Sequence, residues 1–320
     1  MAMRPDRAPP RARLGATRRA LREGGRERRR GQVWGMTAGR RGLRVALVVM
    51  LAALGGAVAA SAAGSLKARS VSASAGTTAA TATYDEVSGS AGAPYANLRL
   101  AIVRDGRTLF DAPVKAGFCG TQCWPDVWPG HGFLRVADIE SNGSPDVVLD
   151  LYSGGAHCCS IVEVYRFDAA TGAYGIVQHN FWDPGASLER IDGGYEFVSA
   201  DDHFAYTFAA FAFSGLPLQI WRFEAGRFVD VTRRFPGLIA ADAKRQWGAY
   251  VENRAQGYGL GFLAAWAADE DLLGRGARVA TTLAAQQRAG WLRSAGGYSP
   301  SGEAFIAALR RFLAKYGYAN

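Results

Sequence analysis

The residues best equipped for chemistry lie in one short stretch, Asp138-Ile139-Glu140-Ser141-Asn142-Gly143-Ser144-Pro145-Asp146. Oxygen-bearing side chains fall at its first, third, fifth and ninth positions, and glycine at its sixth. That spacing turns alternate side chains inward around a hard cation, while the glycine permits the sharp bend. Asp138, Glu140, Asn142 and Asp146 would offer side-chain oxygens, and Ser144 its backbone carbonyl. A flexible all-oxygen set suits calcium better than magnesium, which demands smaller and stricter geometry. The expected cofactor is structural Ca2+, because an ion that binds only the folded loop stabilises one conformation.

The cysteines come next. Cys119, Cys123, Cys158 and Cys159 are even in number, which in an exported chain implies disulfides, with three connectivities open. A bond between adjacent cysteines is geometrically disfavoured. Two bridges from the 119–123 segment to the 158–159 pair are therefore expected, pinning Trp124 and Trp128 over the sheet. Zinc held by these thiols with His131 and His157 matches no familiar ligand spacing. A hydrolase pair of His157 and Cys158 would need neighbours in sequence to meet as catalytic partners, which they seldom do. Asp183, Asp201, Asp202, Asp269, Glu270 and Asp271 fall at no spacing that marks a carboxylate pair, and the 269–271 run reads as a solvated face. No catalytic residue is assigned.

These groups need elements to hold them. Leu98, Leu100 and Ile102 alternate with Arg99 and Ala101, the period of a half-buried strand, and Asp105-Gly106 supplies a tight hairpin turn to a returning strand over 108–114. Further strands are expected over 133–137, 147–152, 161–167, 175–181, 195–199, 206–213 and 218–223. After Pro236 the period becomes helical. Ile239, Ala243, Trp247 and Val251 mark one helix, 260–273 a buried second, and Val279, Leu283 and Trp291 a third. In a fourth, Ser299 caps a helix opening at Pro300, with Phe305, Leu309, Phe312, Leu313 and Tyr316 along one stripe.

Strand, acidic loop and strand over 136–167, closed by a Tyr165-Arg166-Phe167-Asp168 hairpin with Thr171-Gly172, resembles the FG-GAP/VCBS-type repeats of integrin-like propeller blades. A second, degenerate copy runs over 195–232, with Asp201-Asp202 at the loop and Trp221-Arg222-Phe223-Glu224 closing it. The resemblance implies calcium-clipped, blade-like sheets. Glu140 departs from the usual Asp or Asn, and the β region is too short for a complete propeller. The expected fold is therefore α+β: an antiparallel β-rich domain, partial-propeller-like or compact, followed by a C-terminal helical segment.

Charge narrows the function. Of 37 basic and 28 acidic residues, 14 arginines and three acids fall within residues 1–45, leaving 23 against 25 for the rest. A near-neutral body lacks the basic excess of a nucleic-acid surface. Arg40, Arg41 and Arg44 precede an uncharged apolar run over 45–60, and Ala60-Ser61-Ala62 offers a cleavage pattern. The organisation expected is 1–35 a non-structural extension ending before Met36, 36–62 a signal peptide, 63–90 a disordered Ala/Ser/Thr linker, 91–235 the β-rich domain and 236–320 the helical segment. Contact with membrane would come only through an uncleaved leader. The functional expectation is a secreted or surface-tethered, non-catalytic, calcium-stabilised module that recognises extracellular protein or glycan. Trp124, Trp128 and Trp182 are its candidate stacking surfaces. The alternative is an exported hydrolase, which a pocket joining His131, His157 or His203 to acids would favour.

Overall fold

The computed structural model describes residues 65–89, 94–119, 123–127 and 132–319. The expected extension, the signal peptide, Trp128 and His131 lie outside these residues. Among them the chain forms three antiparallel sheets followed by four α-helices. The first sheet is a meander of β1 (Leu66–Ala75), β2 (Thr78–Val87), β3 (Tyr95–Arg104) and β4 (Arg107–Pro113). The second holds β5 (Trp124–Pro125), β6 (Leu134–Ala137), β7 (Asp146–Gly155), β8 (Cys158–Asp168) and β9 (Ala173–Asn180), with β5 and β6 both paired to β7. The third is another meander: β10 (Ser187–Ile191), β11 (Gly194–Ala200), β12 (Leu218–Glu224) and β13 (Arg227–Asp230). The α+β class is as the sequence implies.

Alternation along β7 and β8 explains the stacking. Val147, Leu149 and Leu151 of β7 face the first sheet with Ile161 and Tyr165 of β8, in one cluster with Ala80, Ala82, Leu100 and Ile102. The residues between them, Val148, Val162 and Val164, turn the other way onto Phe197 and Phe223 of the third sheet. A strand buried on both faces reads as a continuous apolar run, as 147–149 does. The outer face of the third sheet carries Ile220 and Val231 against Phe235, the residue preceding α1 (Pro236–Asn253). Beyond it, α1, α2 (Leu260–Leu272), α3 (Gly276–Arg288) and α4 (Gly302–Lys315) share a core with Phe204 and Phe208.

Four expectations are corrected. The 63–90 stretch is not a disordered linker, because 66–87 folds as the β1–β2 hairpin and the β region begins there rather than at 91. Its inward positions Thr78, Ala80 and Ala82 are fully buried, so small side chains fill a narrow gap that larger ones would overfill. Residues 206–213 form no strand. Phe208 feeds the helical core instead, meeting Phe305 and Phe312 edge-on. The last helix begins at Gly302, not at Pro300, and Trp291 lies past the end of α3. Finally, 269–271 is no solvated face: Asp269 is fully buried and Glu270 nearly so, because α2 is enclosed on all sides. Arg275 and Arg278 neutralise Glu270 at 3.6 and 3.1 Å. Burial, first, and then the Asp242 carboxyl push Asp269 up to about 10, so it stays protonated and uncharged.

The sheets and helices are joined at Gly215. A Cβ there would stand 2.7 Å from Phe262 Cα and 2.8 Å from the Gly261 carbonyl, both backbone atoms of α2. Gly215→Ala is expected to destabilise the fold by about 1–3 kcal/mol, read as a lowered denaturant midpoint. An unchanged midpoint would mean that this junction has slack.

Candidate functional site

The two ends of the stacked sheets differ in chemistry. β7 runs ten residues between them, roughly 30 Å at ~3.3 Å per residue. At its start lies the acidic loop. Asp138 accepts the backbone N–H groups of Asn142 and Gly143 at 2.9 and 2.8 Å, and Asn142 Oδ1 accepts that of Ser144 at 2.8 Å. The loop thus folds on itself around Gly143, whose φ of 83° places it in the left-handed region. Glu140 reaches away from the loop: Arg166 of β8 donates to its Oε2, and the N–H of Gly226 in the β12–β13 hairpin donates to Oε1 at 3.2 Å. An Asp would be one methylene too short for that span, which accounts for the departure noted in the sequence. Arg104 of β3 donates to Ser144 Oγ at 3.1 Å, so polar groups from all three sheets meet here. Asp146 is buried, and among the described residues its Oδ2 has no hydrogen-bond partner. Burial, then the charges of Glu140 and Asp138, push its carboxyl up to about 7, with Arg166 opposing.

At the other end of β7 the cysteines correct the expected cross-bridging. Cys119 pairs with Cys123, their Cα atoms 5.1 Å apart, and Cys158 pairs with Cys159. Cys119 and Cys123 are four positions apart, and their Cα separation lies within disulfide reach. All four still pack into the core between the first two sheets, so the segments are joined by burial rather than by bonds. Trp124 belongs to this structure: it pairs with Tyr152, and its ring fills the space a side chain at Gly154 would need.

The same end carries a groove. Asp201, almost fully buried, accepts the His203 backbone N–H at 3.0 Å, faces His203 Nδ1 at 2.6 Å, and accepts the Tyr318 hydroxyl at 2.6 Å. A carboxylate can only accept, so Nδ1 carries the proton and Nε2 is left as the open nitrogen. Nearby, His157 lies 3.7 Å from Asp183 and packs on Phe211, 4.1 Å between centroids, and on Tyr206. Trp182 and Tyr206 are exposed by 51% and 50%, yet both hold left-handed backbone, at φ 55° and 58°. Bulky residues avoid this region, which costs about 1–2 kcal/mol. Trp182 is kept there by Asn180 Oδ1, which accepts its N–H at 2.9 Å, and by Ser160 N–H, which donates to its carbonyl at 2.8 Å. A hollow of about 570 Å³ lies along Trp182, Trp221, Asp201, Asp202 and Asp230.

Sequence reasoning named Trp182, His157, His203 and the aspartates separately. The structure gathers Trp182, Asp201, Asp202 and His203 along one hollow, with the His157–Asp183 pair at the same end, while Asp269, Glu270 and Asp271 stay in α2. Tyr206, Phe211 and Tyr318 were not singled out, and the only signal was aromatic density between Phe204 and Phe213. No family model matches the chain, and no solved structure matches it. It is 30% identical over 145 residues to a probable thylakoid lumen protein of Synechocystis sp., covering 38% of this chain and 43% of that one. It is 29% identical over 190 residues to an uncharacterized protein of Sinorhizobium fredii, covering 58% of this chain and 29% of that one. The chain spans less than half the length of either relative. Among the described residues no helix is long and apolar enough to cross a membrane, and no three His, Cys, Asp or Glu side chains converge as a ready metal site.

Between the two ends, Asp150 of β7 is buried, with Arg135 Nη1 at 3.7 Å from its Oδ2. Burial pushes its carboxyl up to about 7, Arg135 opposing and Asp126 adding to the rise. The folded state therefore holds this proton to higher pH than the unfolded chain does. The stability it confers is complete below the ordinary aspartate range and is lost as pH rises through about 7. Melting between about pH 5 and 8 should show falling stability, by up to about 1.4 kcal/mol per pH unit for each such group. Asp150→Asn should flatten that slope, leaving the shares due to Asp146 and Asp269. Equal slopes in variant and parent would contradict the assignment.

Proposed function

We propose that the chain is an exported, non-catalytic recognition module that binds carbohydrate at the Trp182–Asp201–His203 end of the sheets. The observation carrying this reading is the pair of exposed aromatic rings, Trp182 and Tyr206, each on left-handed backbone, with Asp201 and Asp202 lining the hollow along Trp182. Strain kept at two exposed positions does not help the fold, and it presents flat apolar faces to solvent. A pyranose offers a flat C–H face for stacking and a rim of hydroxyls for the Asp, Asn and Gln groups of the hollow, the mix of apolar wall and few polar groups typical of ligand sites. Export is supported by the leader read in the sequence and by the relative named as a thylakoid lumen protein.

Calcium enters this reading as a structural ion at the far end. Its support is the chemistry of the loop. Asp138 and Asn142 keep second lone pairs beyond the backbone bonds they accept, and Asp146 Oδ2 is buried without a partner. Glu140 is the ligand already engaged, by Arg166. Calcium should raise the melting temperature of the parent, by about 2.7 kcal/mol of stability at a hundredfold excess over Kd, and should do less for Asp146→Asn. No response in the parent would remove calcium from the account.

The hydrolase reading is favoured by the Asp201–His203 pair, which resembles the orienting half of a hydrolytic site. Against it, among the described residues no Ser, Thr or Cys side chain hydrogen-bonds the His203 ring. Screening a panel of soluble oligosaccharides separates the two. Trp182→Gly should keep or slightly raise stability, since glycine accepts the left-handed backbone, and should weaken carbohydrate binding about tenfold or more. Undiminished binding would move recognition elsewhere. Turnover of a saccharide, abolished by His203→Ala, would establish the hydrolase instead.

A further inference from the structure

Resting on that carbohydrate reading, we infer that the bound sugar carries a positive charge: the hollow beside Trp182 is built for an amino sugar with a free amine. Among the described residues, the hollow along Trp182 and its neighbour of about 480 Å³ along Tyr152 and Pro184 have no lysine or arginine in their walls. They hold Asp201, Asp202 and Asp230 in one and Asp126 and Asp183 in the other. Several carboxylates elsewhere in the sheets are matched by arginine: Glu140 by Arg166, Glu196 by Arg222, Asp111 by Arg99. Among the described residues, Asp183 and Asp201 instead meet only histidines as ionic partners, and Asp202 Oδ1 is buried with no hydrogen-bond partner. Burial, with Asp183 and then Asp201 beside it, raises the Asp202 carboxyl above its ordinary range.

Crowded carboxylates in a partly enclosed hollow attract a cation, and the faces of Trp182 and Trp221 add to that attraction. An ammonium group on a pyranose satisfies both, its ring on the indole and its charge between Asp183 and Asp202. Arg233 and Arg234 line an adjoining hollow that shares Asp201, His203 and Asp230 with the one along Trp182, and there Arg233 is committed to the carbonyls of Leu272 and Gly317. The sign of the site therefore changes across His203, and the amine belongs on the Trp182 side.

The test is titration calorimetry of the full chain with a β-1,4-linked glucosamine tetramer, its fully N-acetylated counterpart and tetralysine, in mildly acidic buffer at two salt concentrations. The free-amine sugar is expected to bind at least about tenfold tighter than the acetylated one, with added salt narrowing the gap. Asp183→Asn with Asp202→Asn should remove it. Because the acetyl group alters the probe and not the protein, a variant that misfolds leaves the comparison intact. Equal affinity for both sugars overturns the charge inference while the carbohydrate reading stands. Binding of tetralysine alone, or of nothing, overturns both.

Discussion

The structure depends on β7 and β8 being buried on both faces. Val147, Leu149 and Leu151 serve one neighbouring sheet and Val148, Val162 and Val164 the other, so a one-residue slip in register would exchange the two cores. This two-sided burial stacks three sheets in sequence order and sends their connections to two opposite ends. The acidic loop and the groove both lie at those connections.

The ends have been put to different uses. At one, Glu140, Arg166, Gly226, Arg104 and Ser144 join loops of three sheets into a closed network. A polar cluster so engaged holds position, and what it leaves open are the oxygens of Asp138, Asn142 and Asp146. At the other, Asp201 fixes His203 and holds Tyr318 from near the C-terminus, while strained backbone at Trp182 and Tyr206 turns aromatic rings outward. The single buried Asp201 carboxylate thus both anchors the chain end and sets the face that His203 presents.

Much of the fold was legible because strong periodicity leaves few alternatives. The Asp105-Gly106 turn, the strands around the acidic loop and the apolar helix over 260–272 follow from pattern alone. The β1–β2 hairpin was hidden because its inward positions are Thr78, Ala80 and Ala82, whose composition resembles that of a tether although their spacing is that of a strand. Asp269 was misplaced because a charge run is ordinarily solvated, and nothing local reveals that α2 is surrounded. The groove was legible only as scattered residues. The Asp201–Tyr318 bond spans 117 positions, and a positive φ at a tryptophan has no signature in composition. The acidic loop shows the converse: its spacing is plain, while the lengthened reach of Glu140 to a neighbouring sheet appears only in three dimensions.

The claim at the centre of this account is that recognition occurs at the Trp182 end and that the acidic loop serves the fold. Hydrogen–deuterium exchange with and without saturating glucosamine tetramer addresses it directly. New protection is predicted at 157–160, 181–185 and 201–211, with 138–146 unchanged. Protection confined to 138–146, with the Trp182 end indifferent to the sugar, would contradict it.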